Sequence, residues 1–207
     1  AFYYGMIDDL MANPHKTVEE VAEAHLIEEL GSVPEEELKK TMAALTFIDL
    51  YVRYTLRGRA VQELVDAGIK VHVFGDGWDA LPCRHTENLL LMNNLDSAGC
   101  LKKLSQAKIS LNVMPWFKDG AHDRIFNSML NGALCLTDSS VYLDEVLHDG
   151  VDCGIYSLRE MERLPEIAGK LLAEPERMQQ IADAGFQLAQ AGHTWAHRAQ
   201  QLHELLE

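Results

Sequence analysis

The sequence has few basic residues, and this shortage limits the partners that it can have. Its 207 residues include 18 Lys and Arg against 32 Asp and Glu, which gives a formal net charge of −14. A nucleic-acid-binding surface needs clustered basic side chains, so the composition argues against a nucleic-acid partner. It does not argue against an anionic small molecule, because a few local hydrogen-bond donors are enough to hold one in a cleft.

Cysteine pairs and long apolar runs are also missing. The four cysteines, Cys83, Cys100, Cys135 and Cys153, include no C-x-x-C pair and no metal-knuckle spacing. We interpret them as reduced thiols of a cytoplasmic protein. No apolar run reaches the ~18 residues of a membrane span, since Asp49 interrupts the best candidate, and no signal peptide is visible. The chain begins at Ala1 rather than Met, so we expect it to be part of a longer protein.

Familiar catalytic motifs are absent as well. The sequence has no Gly-x-Ser-x-Gly elbow, no Walker loop and no pair of glutamates placed for acid–base catalysis. His193 and His197 are four residues apart and could share a helix face, but no third ligand completes a metal site. We therefore interpret both histidines as surface or packing residues.

Five short apolar segments are typical of the parallel strands of an α/β sheet. They cover residues 69–74, 89–92, 109–113, 133–137 and, more weakly, 153–156, and helical segments separate them. With 47% hydrophobic residues the chain can easily build a full core. We predict a Rossmann-like, mostly parallel sheet with helices on both faces over residues 56–207.

Residues 1–55 differ from the rest, because they carry hardly any strand signal. Thr17 followed by Glu20 forms a capping box that starts one helix, and Pro34 before three glutamates starts another. Apolar residues at helical spacing from Leu38 to Leu56 predict that the second helix runs long, and a separate helix is predicted over 58–67. We predict an all-helical appendage or interdomain segment, whose function the sequence leaves open.

Polar loops follow the first two predicted strands, at the sheet edge where α/β proteins bind ligands. Gly75-Asp76-Gly77-Trp78 follows the first strand, and Asn93-Asn94 follows the second. A Gly-x-Gly turn allows backbone to approach a ligand closely, but this one lacks the third glycine of a dinucleotide fingerprint. A tight structural turn explains the pattern equally well.

The segment from Lys118 to Gly132 is the most informative part of the sequence. It consists of a polar loop, Lys118-Asp119-Gly120-Ala121-His122, and a short helix. At ~100° per residue, one arc of this helix carries apolar side chains and the opposite arc carries Arg124, Asn127, Ser128 and Asn131. Such groups hydrogen-bond either to a ligand or to buried backbone, and both alternatives stay open. The helix N-terminus would suit a phosphate, because free N–H groups and the helix dipole point there.

From Val61 onward the sequence resembles the C-terminal, donor-binding half of a GT-B glycosyltransferase, and more narrowly the spore-maturation CgeB-like group. The matching segments are 73–78, 107–113, 122–132 with Thr137-Asp138, and 193–195. The resemblance implies a nucleotide-sugar donor as substrate, with its nucleobase near Asn94 and the 75–78 turn. It implies no further cofactor and no essential metal. It also implies that the acceptor, and any catalytic base, are held by an N-terminal domain outside this chain.

The resemblance also assigns roles around the central helix. Counting back from Gly132, the Glu-x7-Glu motif of the family falls on Asp119 and Asn127. In the family the first acid meets the donor sugar and the second holds the ribose. Asp119 keeps a carboxylate, whereas Asn127 keeps an acceptor but loses the charge. Diphosphate contacts are implied around Gly120–His122 with Arg124 as the cation. The catalytic residues would then be Arg124 and Asp119, and the donor-binding residues Gly75, Asp76, Gly77, Trp78, Asn94, Lys118, Gly120, His122, Asn127 and Ser128.

Two other functions remain open at the level of sequence. One is a non-catalytic sensor or scaffold that kept the fold and lost transfer, with residues 1–55 as its interaction surface. The asparagine at position 127 makes this plausible. The other is a different nucleotide-sugar enzyme, such as an epimerase-like protein. It would need an acid or base inside the cleft, and only Asp119, His122 and Asp123 could supply one.

Overall fold

The computed structural model describes residues 2–207, and its N-terminal part is entirely helical. Four helices come first: α1 (Phe2–Ala12), α2 (Val18–Leu30), α3 (Glu35–Ala44) and α4 (Thr46–Asp66). The predicted capping box is confirmed, since the Glu20 amide donates to Thr17 Oγ1 at 3.1 Å and the Thr17 amide donates to Glu20 Oε2 at 2.7 Å. No helix between Phe2 and Glu207 is long and apolar enough to cross a membrane.

The helix boundaries in this part differ from the prediction in two ways. The long helix predicted after Pro34 is interrupted at Leu45, which separates α3 from α4. The separate helix predicted over 58–67 is the second half of α4, which continues through residue 55 without a break. One continuous helix therefore joins the predicted appendage to the predicted α/β part.

The α/β part contains all five predicted strands, most of them slightly shorter than expected. Strands β1 (Val71–Phe74) and β2 (Leu89–Met92) form one parallel pair. Strands β3 (Ile109–Leu111), β4 (Leu134–Thr137) and β5 (Gly154–Ile155) form a second parallel sheet in the order β3-β4-β5. The remaining helices are α5 (Ser97–Leu104), α6 (Asp123–Leu130), α7 (Val141–Val146), α8 (Leu164–Ala173), α9 (Pro175–Gly192) and α10 (Trp195–Leu206). The architecture is a Rossmann-like α/β fold preceded by a helical segment.

Helices cover both faces of the second sheet, which is why every residue of β4 is buried. Leu134 and Leu136 belong to one apolar cluster together with residues of α4 and α8, whereas Cys135 belongs to another together with residues of α6. This follows from the alternation of side chains along a strand. The first cluster also contains residues of α1 and α2, such as Met6 and Val21. The helical segment and the sheet therefore share one core.

Candidate functional site

The carboxyl ends of β3 and β4 meet at a network of buried polar groups. Asn112 Nδ2 donates to Thr137 Oγ1 at 2.9 Å, and the Tyr156 hydroxyl donates to the Asn112 carbonyl at 2.9 Å. The Met114 amide donates to Asp138 Oδ1 at 2.8 Å. Burial raises the pKa of Asp138 to about 7, although its hydrogen bonds and the nearby cations act in the opposite direction. The network fixes the point at which the chain leaves the sheet and enters the predicted site loop.

Lys118 ties this loop to the N-terminal segment. Its ammonium group donates to the carbonyls of Pro14, between α1 and α2, and of Pro115. Burial lowers the pKa of Lys118. The loop is held from the other side by Ser140, whose hydroxyl donates to the Gly120 carbonyl at 2.6 Å. In this conformation Lys118 and Gly120 hold the loop in place.

At the N-terminus of α6, His122 is the capping residue. Its Nδ1 accepts from the Arg124 amide at 3.2 Å, and the Asp123 carboxylate lies 2.5 Å from the same nitrogen. Burial lowers the pKa of His122, and Arg124 lowers it further by charge repulsion. Asn127 Nδ2 donates to the second oxygen of Asp123 at 3.1 Å. Three predicted site residues, His122, Arg124 and Asn127, thus meet around the first turn of α6.

Arg124 has hydrogen-bonding capacity that the described residues do not satisfy. Its Nε and Nη2 atoms are buried, and neither has a hydrogen-bond partner among residues 2–207. The guanidinium carbon lies 5.8 Å from the centre of the Trp116 ring. Burial lowers the pKa of Arg124, and the charge of Arg57 lowers it further. Buried donors without acceptors are rare and costly, so this side chain suits an anionic ligand.

Arg53 and Arg57 of α4 were not among the site residues predicted from the sequence, and Arg53 contacts Trp116 beside the site. Arg53 lies over the Trp116 ring with its guanidinium carbon 4.8 Å from the ring centre. Arg57 lies one helical turn further along α4, and its charge lowers the pKa of both Arg124 and His122. We call Arg53, Arg57 and Arg124 the arginine cluster. The i, i+4 spacing of Arg53 and Arg57 on one helix is visible in the sequence. Nothing local in the sequence links α4 to α6, which carries Arg124.

Ser128 and Asp119 occupy less central positions than the sequence suggested. Ser128 is buried between α6 and β3, where its hydroxyl contacts Ser110 Oγ at 2.8 Å and donates to the Arg124 carbonyl at 2.7 Å. On the helical wheel it stands at the edge of the polar arc beside Ile125, and this explains why it packs against the strand. Asp119 is exposed, and its carboxylate accepts no hydrogen bond from any residue between Phe2 and Glu207.

The predicted loops after β1 and β2 form a second group. Gly75 and Gly77 have φ angles of 109° and 84°, which favour glycine. Asn94 Nδ2 donates to Asp76 Oδ2 at 2.9 Å and so joins the two loops. Trp78 packs against the apolar cluster around Val61, and its Nε1 donates to the Phe74 carbonyl at 3.3 Å. Within residues 2–207 no hydrogen bond or salt bridge joins this group to the arginine cluster.

The C-terminal histidines have packing roles, as predicted. The His193 ring stacks on Phe126 of α6 with ring centres 4.3 Å apart, and His197 Nδ1 lies 2.7 Å from Thr194 Oγ1. Arg198 Nη2 lies 2.7 Å from His193 Nδ1. These contacts fix α6 against the end of the chain. Over the described part of the sequence no three His, Cys, Asp or Glu side chains form a group that could hold a metal ion.

A cavity of about 240 Å³ lies between the helical segment and the loop after β3. Residues of all four N-terminal helices or their connections line it, together with Pro115, Trp116 and Lys118. Among the predicted site residues, Lys118 alone lines it. Arg53 and Trp116 both line this cavity, and the Trp116 ring also lies beside the Arg124 guanidinium.

Comparison with known proteins places the chain in a family. No curated protein shows a significant match. A family model described as glycosyl transferase-like matches residues 56–204, which includes both sheets, the loop after β3 and all of α6. Arg57 and Arg124 lie within the match, whereas Arg53 lies before it. Since the match covers most of the sequence, the chain belongs to the glycosyl transferase-like family.

Proposed function

We propose that this chain is the donor-binding part of a GT-B glycosyltransferase of the CgeB-like type. It would bind a nucleotide-diphospho-sugar for transfer to an acceptor held by another domain. The observation that carries the proposal is the half-buried Arg124 guanidinium, with two donor nitrogens unsatisfied by residues 2–207, at the first turn of α6. Membership of the glycosyl transferase-like family supports glycosyl transfer in general.

The chemistry of a diphosphate leaving group matches what α6 offers. When the glycosidic bond to the donor breaks, negative charge develops on the diphosphate, and fixed cations and N–H groups stabilise it. Arg124 supplies a cation, and the helix N-terminus supplies backbone N–H groups and a favourable dipole. Asp119 would meet the donor sugar, and Asn127 would accept from the ribose hydroxyls. We assign no step to a metal ion.

The loops after β1 and β2 would receive the nucleobase. Their close approach through Asp76 and Asn94, and the two glycines with positive φ, leave backbone accessible at the sheet edge. We also propose a cytoplasmic location, which rests on the unpaired cysteine spacing of the sequence.

Calorimetric titration with UDP, GDP and their sugars tests the proposal. We expect saturable binding of one nucleotide, at least tenfold weaker in Arg124→Ala because a charged hydrogen bond contributes roughly 1.5–3 kcal/mol. Asn127→Ala should weaken ribonucleotide binding as well. The control is Arg59→Ala, since Arg59 lies on α4 and pairs with Glu63 and Glu162 away from the site. Chelator-treated protein should bind equally well.

A non-catalytic scaffold is the second candidate, and two contacts favour it. The Asn127 amide is engaged by Asp123, and the Lys118 ammonium is engaged by backbone carbonyls, so neither group is free for a donor in this conformation. Absence of binding to every nucleotide and nucleotide sugar would contradict the transferase proposal and support the scaffold.

A further inference from the structure

The cavity between the helical segment and the loop after β3 plays no part in the proposed donor site. Its volume is about 240 Å³, and most of the residues that line it precede residue 56, where the family match begins. Of the proposed donor-binding residues it includes Lys118, whose ammonium group is engaged by two backbone carbonyls. The cavity is therefore a candidate for a second ligand site, built mainly by the N-terminal helices.

Helix α4 lines the cavity with two adjacent arcs, one apolar and one polar. At ~100° per residue, the apolar arc carries Leu45, Val52 and Leu56, and the polar arc carries Thr46, Asp49 and Arg53. The start of α2 repeats the mixture with Thr17, Val18 and Glu19. A ligand in this cavity therefore meets apolar surface together with a small number of hydrogen-bonding groups, as is usual for small-molecule sites.

Most charged groups at the cavity are already paired, which argues against a charged ligand. Arg53 Nε donates to Asp49 Oδ1 at 2.8 Å. Lys16 Nζ lies 3.0 Å from Asp9 Oδ1, and the Lys118 ammonium donates to two carbonyls. An anionic or cationic ligand would gain little from partners that are already engaged, and it would lose its hydration on entry.

The same side chains keep hydrogen-bonding capacity that a neutral ligand can use. A guanidinium has five N–H donors, and Asp49 pairs with the Nε and Nη2 groups of Arg53. The Thr46 hydroxyl donates to the Ala43 carbonyl at 3.4 Å and keeps its acceptor lone pairs. Glu19 adds carboxylate oxygens, which accept. Donors and acceptors thus line one cavity, and a hydroxyl group suits both because it can donate and accept.

We propose that this cavity binds a small neutral polyol of the size of one sugar ring. Its hydroxyl groups bond to Arg53, Thr46 and Glu19, and its C–H surface covers the apolar arc of α4. The volume is below the ~300–1,000 Å³ of pockets for drug-sized ligands, so a nucleotide sugar is too large. The proposal goes beyond the donor function and does not rest on it, since these three side chains are not among the proposed donor-binding residues.

The test is calorimetric titration of the full chain with four ligands of one ring each. Glucose and inositol are neutral, whereas glucuronate carries a negative charge and protonated glucosamine a positive one. We expect saturable millimolar binding of at least one neutral ring. The charged rings should bind at least about tenfold more weakly, because a charge must lose its hydration on entry.

Two matched pairs of variants locate the site on α4. Arg53→Lys keeps the charge and loses the guanidinium fork, so the neutral ring should bind about fivefold more weakly, whereas Arg59→Lys, outside the cavity lining, should have no effect. Thr46→Val removes one hydroxyl and should weaken binding about threefold, whereas Thr55→Val, also outside the lining, should not. Circular dichroism checks that each variant is folded.

The outcomes separate this site from the donor site. No saturable millimolar binding of either neutral ring would overturn the proposal, and so would tighter binding of a charged ring. Equal affinity in Arg53→Lys and Arg59→Lys, or displacement of the ring by UDP, would also overturn it, because the ring would then bind elsewhere. A ring that binds with the expected variant effects, in a chain that does not bind UDP, would support the polyol site and contradict the donor function.

Discussion

Replacing Arg124 by methionine should stabilise the ligand-free protein while it removes nucleotide binding. The guanidinium is held half-buried with Nε and Nη2 unsatisfied among residues 2–207. Methionine has a similar length, contains no donor and adapts to irregular space beside Trp116. A side chain that costs stability in the ligand-free protein is expected where binding needs it.

The size of the expected stabilisation follows from two opposing contributions. A buried polar group without a partner costs about 1–3 kcal/mol. Loss of the contact with the Trp116 ring, at 5.8 Å, removes about 0.5–1 kcal/mol of cation–π attraction. Arg124 as a whole is only half-buried, so part of its hydration is kept. The stabilisation gained by removing its two unsatisfied nitrogens is therefore smaller than the sum of two full penalties. We expect the free energy of unfolding to rise by about 1–2 kcal/mol.

Urea unfolding at about pH 6 measures this change. Asp138 has a pKa of about 7, so at that pH it is mostly protonated and loss of Arg124 leaves little unopposed charge. Added UDP should stabilise the unmodified chain more than Arg124→Met at the same concentration, because the stabilisation falls as the ligand binds more weakly. Arg59→Met, whose side chain is 41% exposed, should change stability by less than about 0.5 kcal/mol. An Arg124→Met chain less stable than this control would refute the reasoning.

Two further predictions concern the core and the buried acid. Gly185→Ala should destabilise the protein by several times RT, about 2 kcal/mol or more, because a Cβ there would lie 2.4 Å from the Asp152 carbonyl oxygen. Gly169→Ala has open space around the added Cβ, so its free energy of unfolding should rise by up to about 1 kcal/mol. Equal urea midpoints for Gly185→Ala and Gly169→Ala would contradict this prediction. Asp138 has a raised pKa of about 7 against 3.8, so the folded state keeps a proton that the unfolded state releases, and stability should fall as pH rises between these values. The melting temperature of Asp138→Asn should not fall over this pH range. A pH profile of the melting temperature that runs parallel to that of the unmodified chain would contradict the role of Asp138.

The strands could be predicted from the sequence because their signal is local. Short apolar runs bounded by polar turns mark β1 to β5. Their burial does not follow from apolar content alone, since β4 ends in Thr137 and is fully buried, whereas the wholly apolar β2 is half-buried at two positions and exposed at two. The end of the helical segment was harder to predict. Gly58 suggested the start of a new helix, yet it lies inside α4, and a Cβ there would meet the Leu81 side chain at 2.9 Å. The glycine permits close packing and does not mark a boundary.

At the candidate site, too, features set by neighbouring residues could be predicted and long-range contacts could not. The polar arc of α6 follows from residues close together in the sequence. The contacts of Lys118 with Pro14, and of Arg53 with Trp116, join segments far apart in the sequence. They depend on how α4 and the α1–α2 connection pack against the loop after β3. No periodicity in the sequence carries that information.

The contacts across residue 55 bear on where the functional unit begins. The family match starts at residue 56, in the middle of α4, and residue 56 is itself fully buried in the core that α1 and α2 share with β4. Arg53 and Arg57 stand on either side of that position on the same helix, and Arg53 contacts Trp116 beside the site. A boundary drawn from sequence similarity therefore divides a helix, a core and the arginine cluster.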